Sequence, residues 1–232
     1  MKNMTVSLAR RTTIGLAAVA ASAGLVFAAV APASATAGPT TTSFKNACWA
    51  GSPGNVAQLE NLSVTVDHTV VAPAGQPNTY TIQFGDQTTP SSFPGYTFKG
   101  LSDIQYKLSY NTATLTSATK TSSGTNISSG SPTVSASGGI ITLGKFGVGP
   151  STTFKAPQIT VVTTSPVFDV KLSTSGTAAE FGNFANNYFS FKANGVAVVI
   201  PVSASTSCVP SDDITGAVGS YPALNAGAGT LH

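Results

Sequence analysis

Tyr188-Phe189-Ser190-Phe191-Lys192-Ala193, then Asn194-Gly195, then Val196-Ala197-Val198-Val199-Ile200-Pro201-Val202: this stretch carries the clearest secondary-structure signal in the chain. Two runs rich in aromatic and β-branched residues flank a dipeptide that tolerates the positive φ of a type I′ turn. Residues 187–208 therefore read as a β-hairpin turning at Asn194-Gly195. The second run leads to Cys208, and since the chain has 2 cysteines the only intramolecular partner is Cys48. A Cys48–Cys208 disulfide is expected, bracketing nearly everything with the patterning of a folded domain.

Working outward, Leu62, Val64, Val66, His68 and Val70 alternate with Ser63, Thr65, Asp67 and Thr69, a period of two that marks a half-buried strand. Ile104, Tyr106, Leu108 and Tyr110 alternate with polar residues in the same way, and the run 112–118 reads as the hairpin partner of that strand. Further short strands are expected at 44–50, 79–84, 133–136, 140–143, 158–164 and 167–174. The Ser/Thr/Gly-rich run 119–131 reads as a loop with little reason to be ordered, and 178–183 as the one place for a short helical turn. About eight to ten short strands with frequent turn signals describe an all-β, antiparallel sandwich, with a closed barrel as the alternative.

Residues 1–37 stand apart. Lys2, Arg10 and Arg11 precede an apolar run from Ile14 to Val30, and Ala33-Ser34-Ala35-Thr36-Ala37 offers small-residue cleavage sites after Ala35 or Ala37. This is the pattern of a signal peptide for the general secretory route, and it leaves no transmembrane anchor after processing. The expected organisation is signal peptide 1–37, sandwich domain 38–210 and flexible tail 211–232. Loss of the leader removes Lys2 and both arginines of the 11 basic residues, leaving lysines balanced by the 8 acids. A mature chain of near-zero net charge presents no basic patch, which argues against nucleic acid or an anionic membrane as a partner.

Groups that could transfer protons or attack a substrate are few. His68 shares a face with Val64 and Val66, so a packed histidine is the expectation, with a dispersed hydrolase site using His68 as the alternative. Glu60 and Glu180 have no local context that pairs them. Trp49 beside Cys48 reads as packing on the disulfide, and no His/Cys cluster has metal-ligand spacing. No catalytic, cofactor or metal residue is therefore expected. A hydroxyl-Phe-Lys pattern recurs at Phe44-Lys45, Phe98-Lys99, Phe154-Lys155 and Phe191-Lys192, and it reads as Phe pointing inward and Lys outward at strand edges.

The leader ending Ala-Ser-Ala-Thr-Ala, the entry Phe44-Lys45-Asn46-Ala47-Cys48, the strand from Leu62 to Val71-Ala72-Pro73, and the close from Ile200-Pro201-Val202 to Cys208-Val209-Pro210 resemble secreted two-cysteine β-sandwich proteins of high-GC Gram-positive bacteria, the actinobacteria. That resemblance implies an extracellular immunoglobulin-like sandwich and names no activity. The expected function is a secreted, non-enzymatic module associated with the cell envelope, whose partner is a wall glycan or another envelope protein. The alternatives are the His68 hydrolase and an oligomeric envelope pore built on the 187–208 hairpin.

Overall fold

In a computed structural model of the chain, the described residues are 38–50, 56–70, 72–73, 76–93, 95–110, 115–164, 170–172 and 188–210. All belong to the unit Ala33–His232. The expected signal peptide, the helical turn at 178–183 and the tail 211–232 lie outside them, as does most of the strand expected at 167–174.

Every element among the described residues is a strand. In chain order they are β1 (Gly38–Ala50), β2 (Val56–Val70), β3 (Asn78–Phe84), β4 (Gln87–Thr88), β5 (Thr97–Tyr110), β6 (Leu115–Lys120), β7 (Thr133–Ser137), β8 (Ile140–Val148), β9 (Thr153–Phe154), β10 (Ile159–Thr163), β11 (Val170–Leu172), β12 (Phe189–Ala197) and β13 (Ile200–Pro210). The all-β antiparallel class holds. Strands β1, β2 and β5 are much longer than the short strands expected, at 13, 15 and 14 residues.

The hydrogen-bonded order is β6-β10-β3-β2-β1-β13-β12-β5-β8-β7, with β11 beside β5 and β4-β9 as a separate two-stranded ribbon. The two outer strands, β6 and β7, pack alongside each other without a shared ladder, so one sheet folds over a single core and nearly closes. This fits a sandwich-like body but departs from the immunoglobulin pattern, which divides its strands between two separate sheets. The core comes from the alternation seen in the sequence: Val64 and Val66, Tyr80 and Ile82, Ile104 and Tyr106, Ile141 and Leu143 are each 0% exposed. Placing one face of each strand inward gives the buried-exposed rhythm that sets register.

Three local expectations are overturned. The hairpin turns at Val198-Val199, with Ala197 opposite Ile200, and Asn194 and Gly195 lie inside β12 opposite Ser203 and Val202. Their work is a bulge: Asn194 faces Gly100 and Gly195 faces Phe98, leaving Lys99 as the extra residue. A Cβ at Gly195 would come within 3.2 Å of the Thr97 carbonyl, and the Asn194 side-chain amide donates to the Ser102 hydroxyl at 3.0 Å. Glycine and asparagine are thus required by a strand irregularity, which in sequence looks like a turn.

Strand β6 pairs with β10, and the far end of β5 is paired by β11 instead. Alternation marks a strand but does not name its neighbour. Finally, the run 119–131 is tied down. Thr125 bridges to Lys155 and Ser129 to Gly147, the Thr121 amide donates to the Gln158 carbonyl, and the Asn126 amide donates to the Thr153 carbonyl at 2.7 Å. Gly124 and Gly130 have positive φ, and a Cβ on either would strike the backbone of Lys155 or Lys145. The residues that suggested looseness are those that let two backbones approach closely.

Candidate functional site

Two surface features gather groups able to meet a partner. The first is a shallow open groove where β1 and β2 run beside the 85–86 turn. Ser43, Lys45, Asn61, Ser63 and Asp86 line it, with Phe44 and Leu62 beneath. The register explains the collection: Ser43 is opposite Ser63, Phe44 opposite Leu62 and Lys45 opposite Asn61, so a polar row faces out above an apolar row. Phe44 is 6% exposed and meets the buried Tyr188 ring edge-on at 5.3 Å, which fixes the floor from below. Gly85 donates its N–H to the Ser63 carbonyl at 2.8 Å, and a Cβ there would collide with the Ser63 hydroxyl. Asp86 is held 3.8 Å from Lys155, with the carboxylate largely in water and the lysine half-exposed.

The second feature is the β12–β13 turn. Val198, Val199 and Ile200 are 96%, 81% and 65% exposed, and Tyr96, just before β5, is 49% exposed. These are all the exposed large apolar side chains among the described residues. They converge because Val196 pairs with Thr97, which puts Tyr96 alongside the last turn of the hairpin.

The disulfide forms as expected. Cys48 and Cys208 face each other directly in the β1–β13 ladder, with Cα atoms 4.1 Å apart and 160 residues between them in sequence. Trp49 next to it is buried. His68 is fully buried with its ring stacked on Tyr80 at 4.3 Å. A general base has to reach its substrate, and this imidazole does not meet the surface. Glu60 is half-buried, and desolvation holds its carboxyl above the ordinary carboxylate range. Each Phe of the recurring Phe-Lys pairs is buried or partly buried, and its Lys reaches water to a greater degree.

Burial pushes the Tyr106 and Tyr188 hydroxyls well above the ordinary tyrosine range, and Tyr106 further raises Tyr188. They belong to an aromatic stack with Phe84 and Phe189, whose rings lie 4.2 and 4.6 Å from that of Tyr106. Among the described residues no group of three or more His, Cys, Asp or Glu side chains is placed to hold a metal, and no helix is long and apolar enough to cross a membrane. Asn61 and Asn126 both begin Asn-x-Ser sequences: Asn61 faces the groove, whereas Asn126 is spent on Thr153.

Comparison with protein-family models, with curated proteins and with solved structures returned no match. The hairpin tip was the feature least legible in the sequence. Its signal, five consecutive apolar residues after an Asn-Gly, looked like the body of a strand.

Proposed function

We propose that the protein is a secreted, non-enzymatic binding module that engages the cell envelope through its polar β1–β2 face. The observation that carries this reading is the groove: hydroxyl and amide groups of Ser43, Ser63 and Asn61 stand on paired strands above Phe44 and Leu62, beside one cation and one carboxylate. Hydrogen-bonding groups fixed on rigid strands, whose inward neighbours Phe44 and Leu62 are buried in the core, suit a neutral, polyhydroxylated polymer such as a wall glycan. Such a ligand offers many weak polar contacts and little charge. The disulfide supports an oxidising compartment, and the leader-like residues 1–37 support export.

The test is sedimentation of the processed protein with purified, lipid-free cell-wall sacculi. A fraction of the protein is expected to pellet with the wall, and Asn61→Ala/Ser63→Ala is expected to reduce that fraction several-fold with unchanged circular dichroism. Protein that remains entirely in the supernatant, or a double variant that pellets like the parent, would overturn the assignment.

A further inference from the structure

The hairpin tip is built in a way that folding alone does not explain. Val198 has φ +58, a conformation that is a true outlier for a β-branched residue. Only the first of the two central turn residues has positive φ, the arrangement in which glycine is favoured at that position. Yet the chain has valine there, 96% exposed, so no packing compensates for the strain. A strained, exposed residue whose side chain touches little marks a place to look for a contact outside the molecule.

The neighbours say what that is. Val198, Val199 and Ile200 make an exposed apolar tip, and the exposed Tyr96 stands behind it beside the Val196–Thr97 pair and Gly195. An aromatic phenol set behind aliphatic side chains suits a surface that is apolar inside and wet at its rim. In β5, β12 and β13 the only acidic residue is Asp103, which is occupied by Lys192 at 2.8 Å. Lys99, the exposed bulge residue, is left as a cation set back from the tip by three to four positions, on the order of 10 Å at about 3.3 Å per residue. That spacing puts an ammonium at headgroup level when the tip lies roughly 5 to 10 Å into the acyl boundary. The apolar segment is far short of the roughly nine to eleven residues that a spanning strand needs. A tip of this length enters an interface and does not cross it.

From this we infer that the β12–β13 tip is a lipid-docking wedge: Val198, Val199 and Ile200 insert into the outer region of an anionic lipid layer, Tyr96 seats at its rim, and Lys99 pairs with lipid phosphate. This is independent of the groove, which faces a lipid-free polymer.

The experiment is vesicle flotation of exported protein with its disulfide intact. Mass spectrometry should first confirm that the apolar run Ile14 to Val30 is gone, because that run would bind lipid by itself. Vesicles of phosphatidylglycerol and phosphatidylcholine are compared with phosphatidylcholine alone. Binding is expected on the anionic vesicles, reduced at least tenfold in Val198→Ser/Val199→Ser, reduced several-fold in Lys99→Gln, and weakened by salt. In Val199→Trp, the new tryptophan's emission should shift to the blue when anionic vesicles are added, against the constant background of buried Trp49. The inference is overturned by absence of vesicle binding, by binding that the double serine variant leaves intact, or by a concentration-dependent dimer that the same variant abolishes, which would make a second copy the occupant. The sacculus assay contains no lipid, so its outcome stands apart from this one.

Discussion

Tyr106 shows what a single buried polar atom demands. Its ring is 0% exposed at the centre of the aromatic stack, and its hydroxyl receives the Gln87 side-chain amide at 2.6 Å. In low dielectric that bond is worth having chiefly because leaving the hydroxyl unpaired is so unfavourable. Gln87→Leu should therefore destabilise by about 1 to 2 kcal/mol. Tyr106→Phe should cost less, because the half-buried Gln87 amide can turn to water. Combining the two should cost less than their sum, and urea denaturation of the four proteins measures that coupling. Neither partner could have been named from sequence: Gln87 sits in a two-residue strand that no periodicity marks, 19 positions from Tyr106.

At the scale of elements, β5 decides the geometry. It carries two irregularities against β12, one at Lys99 and one near Asp103, and the second is matched by a shift against β8. Asp103 has φ +54, a conformation that aspartate adopts more readily than most residues. Its hydrogen bond to Lys192 holds the carboxyl below the ordinary aspartate range. A lowered folded-state pKa contributes stability above the unfolded value near 4, and that contribution is lost as pH falls through about 4 and below. Both side chains are well exposed, so the pair is worth about 0.2 to 1 kcal/mol. Lys192→Gln should lower the urea midpoint slightly at pH 7, and the difference from the parent should shrink as pH falls below about 4. A gap that stayed constant down that range would mean the lysine acts through packing. The turn that follows makes the opposite kind of statement. Val198→Gly should raise stability by about 1 kcal/mol by relieving the positive φ, seen as a melting temperature roughly 2 to 4 °C higher, while weakening vesicle binding. A gain in stability joined to a loss of binding is the signature of strain kept for function.

For the whole molecule, much of the fold was legible because burial imposes a period of two: the faces of β2 and β5 and the existence of the final hairpin all follow from alternation. Neighbour relations were not, since β6 takes β10 as its ladder partner and meets β7 only where the sheet nearly closes, choices that no local pattern encodes. The candidate groove was equally hidden, because its residues become a set only once Ser43 is seen opposite Ser63. What joins these non-local choices is the meeting of the chain's outer strands in the middle of the sheet, β1 beside β13, through only five registered pairs from Asn46↔Pro210 to Ala50↔Thr206. A contact between segments so distant in sequence carries a large closure entropy, and the Cys48–Cys208 bridge removes most of it from the unfolded chain. The chain-entropy relation for a loop of 160 residues gives about 5 kcal/mol. Cys48→Ala/Cys208→Ala should accordingly lose about 2 to 5 kcal/mol, with a lower denaturant midpoint and a steeper dependence on denaturant as the freed unfolded chain exposes more surface. If the bridge acts by constraining the unfolded state, the loss should appear mainly as slower folding. A variant that folds at the parental rate but unfolds faster would instead place the stabilisation in native packing around the sulfurs.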